Sequence, residues 1–287
     1  MRSMLFVPAD SERKIDKSVG TAADALIFDL EDAVLPQRKP LAREVLGSFL
    51  STREPSARFW IRVNSADTSD LLLDLAATVP LRPAGIVLPK IRGPEDIALV
   101  DHYLAMAEAI HGLASDSIRV IAVCTETPIA VLRMADIARV QCHRLAGLMW
   151  GGEDLSSALG ATNPRAQDGS WRSVYSLARA QCLLAAHTLG VMAIDTVYVD
   201  IRDTAGCQRN ATEARADGFT GKIAVHPDQV AAINTAFTPT PEELDRAKRI
   251  VAAFASGAGA VSFDGQMIDV PHLTAARRLL ATAATAP

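Results

Sequence analysis

The sequence predicts an α/β fold: a (β/α)8 barrel of parallel strands followed by a C-terminal helical arm. Three observations predict it. Eight short apolar runs alternate with longer helical stretches, the rhythm of a parallel sheet with crossover helices. Most runs are apolar throughout rather than alternating, as expected for strands covered on both faces. The chain has 287 residues, and barrels of this kind use about 250. A doubly wound open sheet is the competing architecture. No Gly-x-Gly-x-x-Gly follows the first strand, which argues against its dinucleotide-binding form.

The expected strands are Ser3–Val7, Ala25–Asp29, Phe59–Val63, Gly85–Pro89, Arg119–Val123, Leu145–Trp150, Met192–Val199 and Ile223–Val225. The first lies in Met1-Arg2-Ser3-Met4-Leu5-Phe6-Val7-Pro8. That segment lacks the longer apolar core and small-residue cleavage site of a signal peptide, so it is expected to be a strand of a cytoplasmic protein. Between the strands, Gly93-Pro94-Glu95-Asp96 opens a helix, with proline in the first turn and acids at the positive end. Thr127-Pro128 opens another, and the alanine- and leucine-rich Ser173–Gly190 ends on Gly190, a C-cap residue. After Pro239-Thr240-Pro241 the texture changes. Glu242–Phe254 reads as an amphipathic helix, Gly257-Ala258-Gly259 as a break, Val261–Met267 as a hairpin or short extended piece, and His272–Thr282 as a last helix, with Ala281–Pro287 expected to fray. The division expected is a catalytic barrel over 1–240 and an arm over 241–287 that packs on a neighbouring subunit.

Bulk chemistry narrows the function. The net charge is -4 with no basic tract, which excludes a nucleic-acid footprint. Hydrophobic residues make up 49% of the chain, yet each long apolar run is interrupted before it could cross a bilayer. The cysteines Cys124, Cys142, Cys182 and Cys207 form no Cys-x-x-Cys pair and read as small buried hydrophobes.

In a (β/α) barrel the loops after the strands share one face. Listing what leaves each strand therefore assembles a candidate site. The exits carry Asp10; Asp29, Glu31 and Asp32; Arg62 and Asn64; Lys90; Glu126; Glu153 and Asp154; Asp195 and Asp200; and His226. Glu126 and Asp154 lie one βα unit apart and so belong to adjacent strands, roughly 4.8 Å from each other. Two carboxylates with few histidines and no paired thiols are oxygen donors for magnesium, which keeps waters and leaves room for substrate. The competing reading is a salt-bridged pair with basic partners at the rim. Asp29 and Glu31 would hold metal-bound water and nearby cations in place, against a solvated loop paired with Arg38 and Lys39. Arg62, in an apolar run, offers a planar fork for a carboxylate or a developing enolate oxygen. Lys90 is a second candidate for substrate binding. Gly218-Phe219-Thr220-Gly221-Lys222 has the residues of a phosphate loop but not the Walker spacing.

The ordered set Arg2–Pro8, Asp29-Leu30-Glu31-Asp32-Ala33-Val34, Arg62-Val63-Asn64, Leu88-Pro89-Lys90, Glu126-Thr127, Gly152-Glu153-Asp154-Leu155, Gly221-Lys222 with His226-Pro227, and Gly265-Gln266-Met267-Ile268-Asp269 resembles the citrate lyase beta subunit and its relatives, the malyl-CoA and citramalyl-CoA lyases. The match runs essentially end to end. It departs at Ala9, where glycine is usual, and at Pro128, where a small residue is common. The resemblance implies a magnesium-dependent carbon–carbon lyase acting on an acyl-CoA thioester, or on a thioester of an acyl carrier protein. It implies a homotrimer or a dimer of trimers. Glu126 and Asp154 would be the magnesium ligands, Arg62 would contact substrate, and Asp269, on the arm, would be the acid–base residue of a neighbouring site. The alternatives are a citrate lyase beta subunit active only in a complex, a thioesterase on the same scaffold, and a catalytically silent assembly subunit.

Overall fold

Eight parallel strands close on themselves in sequence order. They are β1 (Ser3–Pro8), β2 (Ala25–Asp29), β3 (Phe59–Arg62), β4 (Gly85–Leu88), β5 (Arg119–Val123), β6 (Leu145–Met149), β7 (Met192–Asp195) and β8 (Gly221–Ala224), with β8 paired back to β1. The computed structural model describes residues 1–257 and 259–284. They fall into two compact units, residues 1–234 and residues 235 onward, where the sequence reading divides the chain at 240. The break expected at Gly257-Ala258-Gly259 and the fraying expected over 281–287 fall partly on residues outside this description.

The first unit is the barrel. Around it run α1 (Glu12–Val19), α2 (Lys39–Ser51), α3 (Asp70–Thr78), α4 (Pro94–Ile110), α5 (Pro128–Leu132), α6 (Met134–Ile137), α7 (Gly152–Ala158), α8 (Ser173–Leu189), α9 (Thr204–Asp217) and the start of α10 (Pro227–Phe237). Met4, Ile27, Trp60, Val87, Ile121, Ile194 and Ile223 fill the inside of the strands. Each such side chain contributes roughly 1.5–3 kcal/mol by leaving water. This explains why the strands read as continuous apolar runs: inward residues fill the barrel and outward ones meet the helices.

Most helix boundaries follow their local signals. Pro94 stands in the first turn of α4, with Glu95 and Asp96 beside it. Thr127 caps α5 by accepting from the Ala130 N–H, and Pro128 takes the first helical position without loss of a bond. Gly190, at φ 68°, closes α8 in the left-handed region that suits glycine. Strand bounds are corrected in places: β3, β4 and β6 each stop one residue early, at Arg62, Leu88 and Met149, and β8 is Gly221–Ala224 instead of Ile223–Val225. The helix opened at Thr127-Pro128 is followed after Arg133 by a second short one, α6. The seventh strand stops at Asp195 instead of reaching Val199, because the Thr196 carbonyl accepts from Lys222 Nζ and leaves the strand ladder.

The second unit holds α11 (Pro241–Ala253), β9 (Ala260–Phe263), β10 (Gln266–Asp269) and α12 (Val270–Ala284). Thr240 and Glu243 form a reciprocal capping box at the start of α11. Asp264 and Gly265, both at positive φ, make the tight turn between β9 and β10. Ala247, Ile250, Phe254, Phe263, Ile268 and Ala276 form its core. Among the described residues no helix is long and apolar enough to cross a membrane.

One ion cluster anchors the N-terminal rim of the barrel. Arg144 is 1% exposed and bonds Glu108 at 3.0 and 3.2 Å, the Ile118 carbonyl at 3.0 Å, and Asp101. Removing the cation strands a buried carboxylate. Arg144→Ala should therefore cost about 3–5 kcal/mol, read as a lower urea midpoint. A midpoint unchanged from wild type would show that the cluster carries no stability.

Candidate active site

The closed sheet brings the strand exits together. In the β2–β3 register Asp29 faces Arg62, and in the β5–β6 register Val123 faces Met149. Arg62 Nε and Nη2 donate to Asp29 at 2.8 and 2.6 Å, a two-point pair with Asp29 fully buried. Arg62 Nη1 also lies 3.0 Å from Glu31 Oε2, in ion contact but without hydrogen-bond geometry, and the guanidinium sits 4.4 Å above the Phe6 ring. Burial works against the Arg62 charge, but Asp29, Glu31 and Glu126 outweigh it and hold the guanidinium above its ordinary range.

Lys90 makes the second junction. It is one of four non-glycine residues at positive φ among the described residues, 52°, a conformation that is uncommon without glycine and recurs at functional sites. The turn aims its backbone N–H at Glu126 Oε2, 2.6 Å away. Its ammonium reaches Glu31 and Asp32, both at 2.6 Å, and lies 3.8 Å from Asp154. Burial disfavours this charge too, but Asp32 and Glu31 raise its pKa overall. The solvated-loop pairing does not occur: Arg38 bonds Asp10, and Lys39 bonds Asn64.

Glu126, 5% exposed, is the most perturbed carboxyl of this face. Burial, then Asp154, then Glu31 push it up to about 8, against the pull of Arg62 and the Lys90 N–H. Asp154 stands half-exposed in the first turn of α7, beside Glu126. Two adjacent glycines allow the approach. A Cβ on Gly151 would come within 2.7 Å of Glu126 Cγ, and one on Gly152 within 2.7 Å of the Trp171 ring. Thr125 ties the two exits, accepting from the Gly151 N–H at 2.9 Å.

These residues fit a hard cation. The donors are carboxylate oxygens at the exits of neighbouring staves, and burial, with Asp154 and Glu31 adding to it, makes the Glu126 charge costly until a cation accompanies it. Among the described residues no group of three or more His, Cys, Asp and Glu side chains forms a metal cage. Two carboxylates with the remaining positions left to water and substrate match magnesium's usual protein contacts.

Several exit residues take no part. Asp200 bonds the Arg202 N–H and is exposed, and His226 lies against Asp228. Asp269 lies on β10 of the second unit, 2.7 Å from His272 Nδ1. Cys124 is a buried core residue. Sequence reasoning named Lys222 only within the rejected phosphate loop and the family motif, and gave it no part in the site. It is fully buried in β8 and donates to Asp195 Oδ2 and the Thr196 carbonyl, each at 2.6 Å. Asp195 also accepts from Trp150 Nε1 at 2.7 Å, and the Trp150 ring packs edge-on against Trp171, 4.9 Å between centroids. The available signal was a lysine inside an apolar strand. Gly218 and Gly221 are a helix cap and a strand residue, not a phosphate loop.

A family model described as HpcH/HpaI aldolase/citrate lyase matches residues 2–227. A (3S)-malyl-CoA thioesterase of Cereibacter sphaeroides is 35% identical over 98% of this chain and 94% of its own. The mitochondrial citramalyl-CoA lyase of Mus musculus is 33% identical over 98% of this chain and 86% of its own. The structure of protein CitE from Mycobacterium tuberculosis, in complex with magnesium, acetoacetate and coenzyme A, superposes with a TM-score of 0.83 at 35% identity, covering 99% of this chain and 98% of that one.

The perturbed carboxyl has a measurable consequence. Glu126 titrates near 8 in the folded protein against an ordinary value of 4.5. Its folded value is raised, so the stability it contributes is complete below about 4.5 and is lost as pH rises through 8. In EDTA the unfolding free energy of wild type should fall over that window, by up to about 1.4 kcal/mol per pH unit from this one proton. Glu126→Gln should remove that part of the slope. Parallel profiles for the two proteins in urea melts at pH 5.5 to 8.5 would contradict the assignment.

Proposed function

This chain belongs to the HpcH/HpaI aldolase/citrate lyase family, and from that premise we propose that it is a magnesium-dependent carbon–carbon lyase. It cleaves, or in reverse forms, the bond between C2 and C3 of a 3-hydroxy-dicarboxylic acyl-CoA of the malyl or citramalyl type. The products are acetyl-CoA and a 2-oxo acid. The observation that carries the reading is the buried Glu126 carboxyl, set beside Asp154 and opposite Arg62 at the strand exits. The coenzyme A and magnesium bound by the Mycobacterium tuberculosis relative support it.

Glu126 and Asp154 would hold magnesium, whose chemistry is to polarise oxygen and lower the pKa of a bound hydroxyl. Asp29 and Glu31 fix Arg62 and Lys90 in place. Asp29 takes two of the five guanidinium N–H donors and Glu31 faces a third, so two remain for substrate. Those two face the oxygen of the thioester enolate that appears when the C2–C3 bond breaks and its electrons pass to the acetyl fragment. Lys90 binds the substrate carboxylate. A base takes the C3 hydroxyl proton as the C2–C3 bond breaks, and Asp269, supplied by the arm of a neighbouring subunit in a homotrimer, returns a proton to the enolate carbon to give acetyl-CoA.

The name of the Cereibacter sphaeroides relative gives a second reading, hydrolysis of the thioester. A citryl thioester on an acyl carrier protein is a third. Incubating the purified chain with malyl-, citramalyl- and citryl-CoA, followed by mass spectrometry of the products, separates them. The lyase yields acetyl-CoA plus a 2-oxo acid, while a thioesterase releases free CoA. EDTA should lower the rate at least about a hundredfold, and cleavage at full rate without metal would overturn the roles of Glu126 and Asp154.

The shared site has its own test. Asp154→Asn and Asp269→Asn should each be nearly inactive. Mixed and reassembled, they should recover activity, because some sites then combine an intact barrel with an intact arm from another subunit. No recovery, with mixed trimers verified by mass, would place Asp269 outside the chemistry.

A further inference from the structure

The catalytic cavity between Arg62, Glu126 and Asp154 is lined mainly by apolar side chains such as Phe6, Val123 and Ile223. The barrel unit also carries an open cleft between α8, α9 and the loop before α8. Its volume is about 640 Å³, within the roughly 300–1,000 Å³ of ordinary small-molecule sites. The turn Arg165–Trp171 makes one wall, Arg179 and Leu183 of α8 another, and Tyr198 and Arg209 the rest. No residue lines both spaces. They are neighbours all the same: Trp171 borders the cleft, Trp150 borders the catalytic cavity, and the two rings pack edge-on.

The charges of the cleft cancel except for one. Arg179 is held by Asp195 at 3.3 Å and Asp217 at 2.6 Å. Arg209 has Asp203 at 3.9 Å and Glu213 one helical turn away on α9. Asp168 is turned onto its own loop, accepting from the Ser170 N–H at 3.0 Å and the Ser170 hydroxyl at 2.6 Å. Arg165 is half-buried and has no acid within ion-pair reach among the described residues. Its guanidinium lies 3.6 Å from the Trp171 ring centre and gives one N–H to the Gly169 carbonyl at 2.9 Å. Four of its five donors are left without a protein partner among the described residues. Burial lowers its pKa against the weaker pull of Glu153 and Asp195, so an incoming anion would relieve a partly desolvated charge. The bridge between Arg165 and Trp171, with the Ala166 N–H on the Ser170 carbonyl at 2.8 Å, fixes the turn. The fork is therefore positioned before any ligand arrives.

We propose that this cleft is a second binding site, for a small organic molecule that places a carboxylate or phosphate group on Arg165 and an apolar body against Leu183 and Tyr198. Both of those side chains are half-buried and border the cleft. The inference does not rest on the lyase reading, because the cleft and the catalytic cavity have no lining residue in common.

The test titrates phenyl phosphate and benzoate into the full-length protein with magnesium, followed by calorimetry. Inorganic phosphate and acetate, which carry the same end groups without a ring, are titrated beside them. Phenyl phosphate or benzoate should bind with a Kd of about 1 mM or below, and at least about tenfold more tightly than its ringless counterpart. Binding of one aryl anion alone assigns the end group as phosphate or carboxylate, and binding of both assigns an oxyanion of either kind. Arg165→Gln should weaken that binding at least about tenfold. Ala180→Trp, which fills the cleft from α8 and removes no polar contact, should do the same. If Arg165→Gln lowers the urea midpoint, Ala180→Trp decides. Failure of both aryl anions to bind, equal affinity for the ringless ions, or a folded variant that binds as wild type does, overturns the proposal.

Discussion

The arrangement at the strand exits depends on one ion pair, Arg62 with Asp29. The two residues are register partners on β2 and β3, so closure of the sheet alone sets them face to face. Asp29 is buried completely, Glu31 and Glu126 nearly so, and three acids withdrawn from water at one mouth would be prohibitive without a cation among them. Arg62 serves because a guanidinium keeps its charge when buried and presents donors in several directions at once. It does not neutralise the group fully. Burial first, then the nearby Asp154 and Glu31, disfavour a charge on Glu126 and raise its pKa. The site is thus held together by Arg62 and, on its outer side, Lys90, and a divalent ion beside Glu126 and Asp154 would relieve the repulsion between them.

A second set of contacts makes the inner wall. Lys222 and Asp195 are charged residues inside the barrel, but each satisfies the other, and the Thr196 carbonyl and Trp150 indole take up what remains. Because this polarity is consumed internally, the surface that faces the cavity is left to hydrocarbon. Trp150 then packs on Trp171, so the segment before α8 is positioned by the same group that closes the barrel interior. Gly151 and Gly152 have a complementary role: they permit the close approach of Glu126 on one side and Trp171 on the other.

How much of this could be read in advance varied with the residue. The eight strands were legible because covered strands are apolar on both faces, and the exit acids were legible because a carboxylate ending such a strand has no packing role. Asp29, Arg62, Glu126 and Asp154 were all located in that way. Asp200, exposed, and His226, half-buried beside Asp228, occupy comparable positions in sequence yet stand apart from the site, since a residue's place after a strand does not decide which way the loop turns. The pairing of Lys222 was missed for a different reason: its partner, Asp195, lies on another strand, and nothing local to Gly221-Lys222 announces it.

The sequence by itself determined the alternation of strands and helices, the caps at Thr127, Gly190 and Thr240, and the set of charged residues leaving the strands. These are local properties, governed by periodicity and by the backbone preferences of a few residues. Only the tertiary structure decided which charges meet: that Lys90 turns left-handed and gives its N–H to Glu126, that Arg62 takes Asp29 and Glu31, and that the cavity between them is lined mainly by apolar side chains. Those outcomes depend on register and closure across strands distant in sequence, and on the desolvation that burial imposes, which no single segment contains.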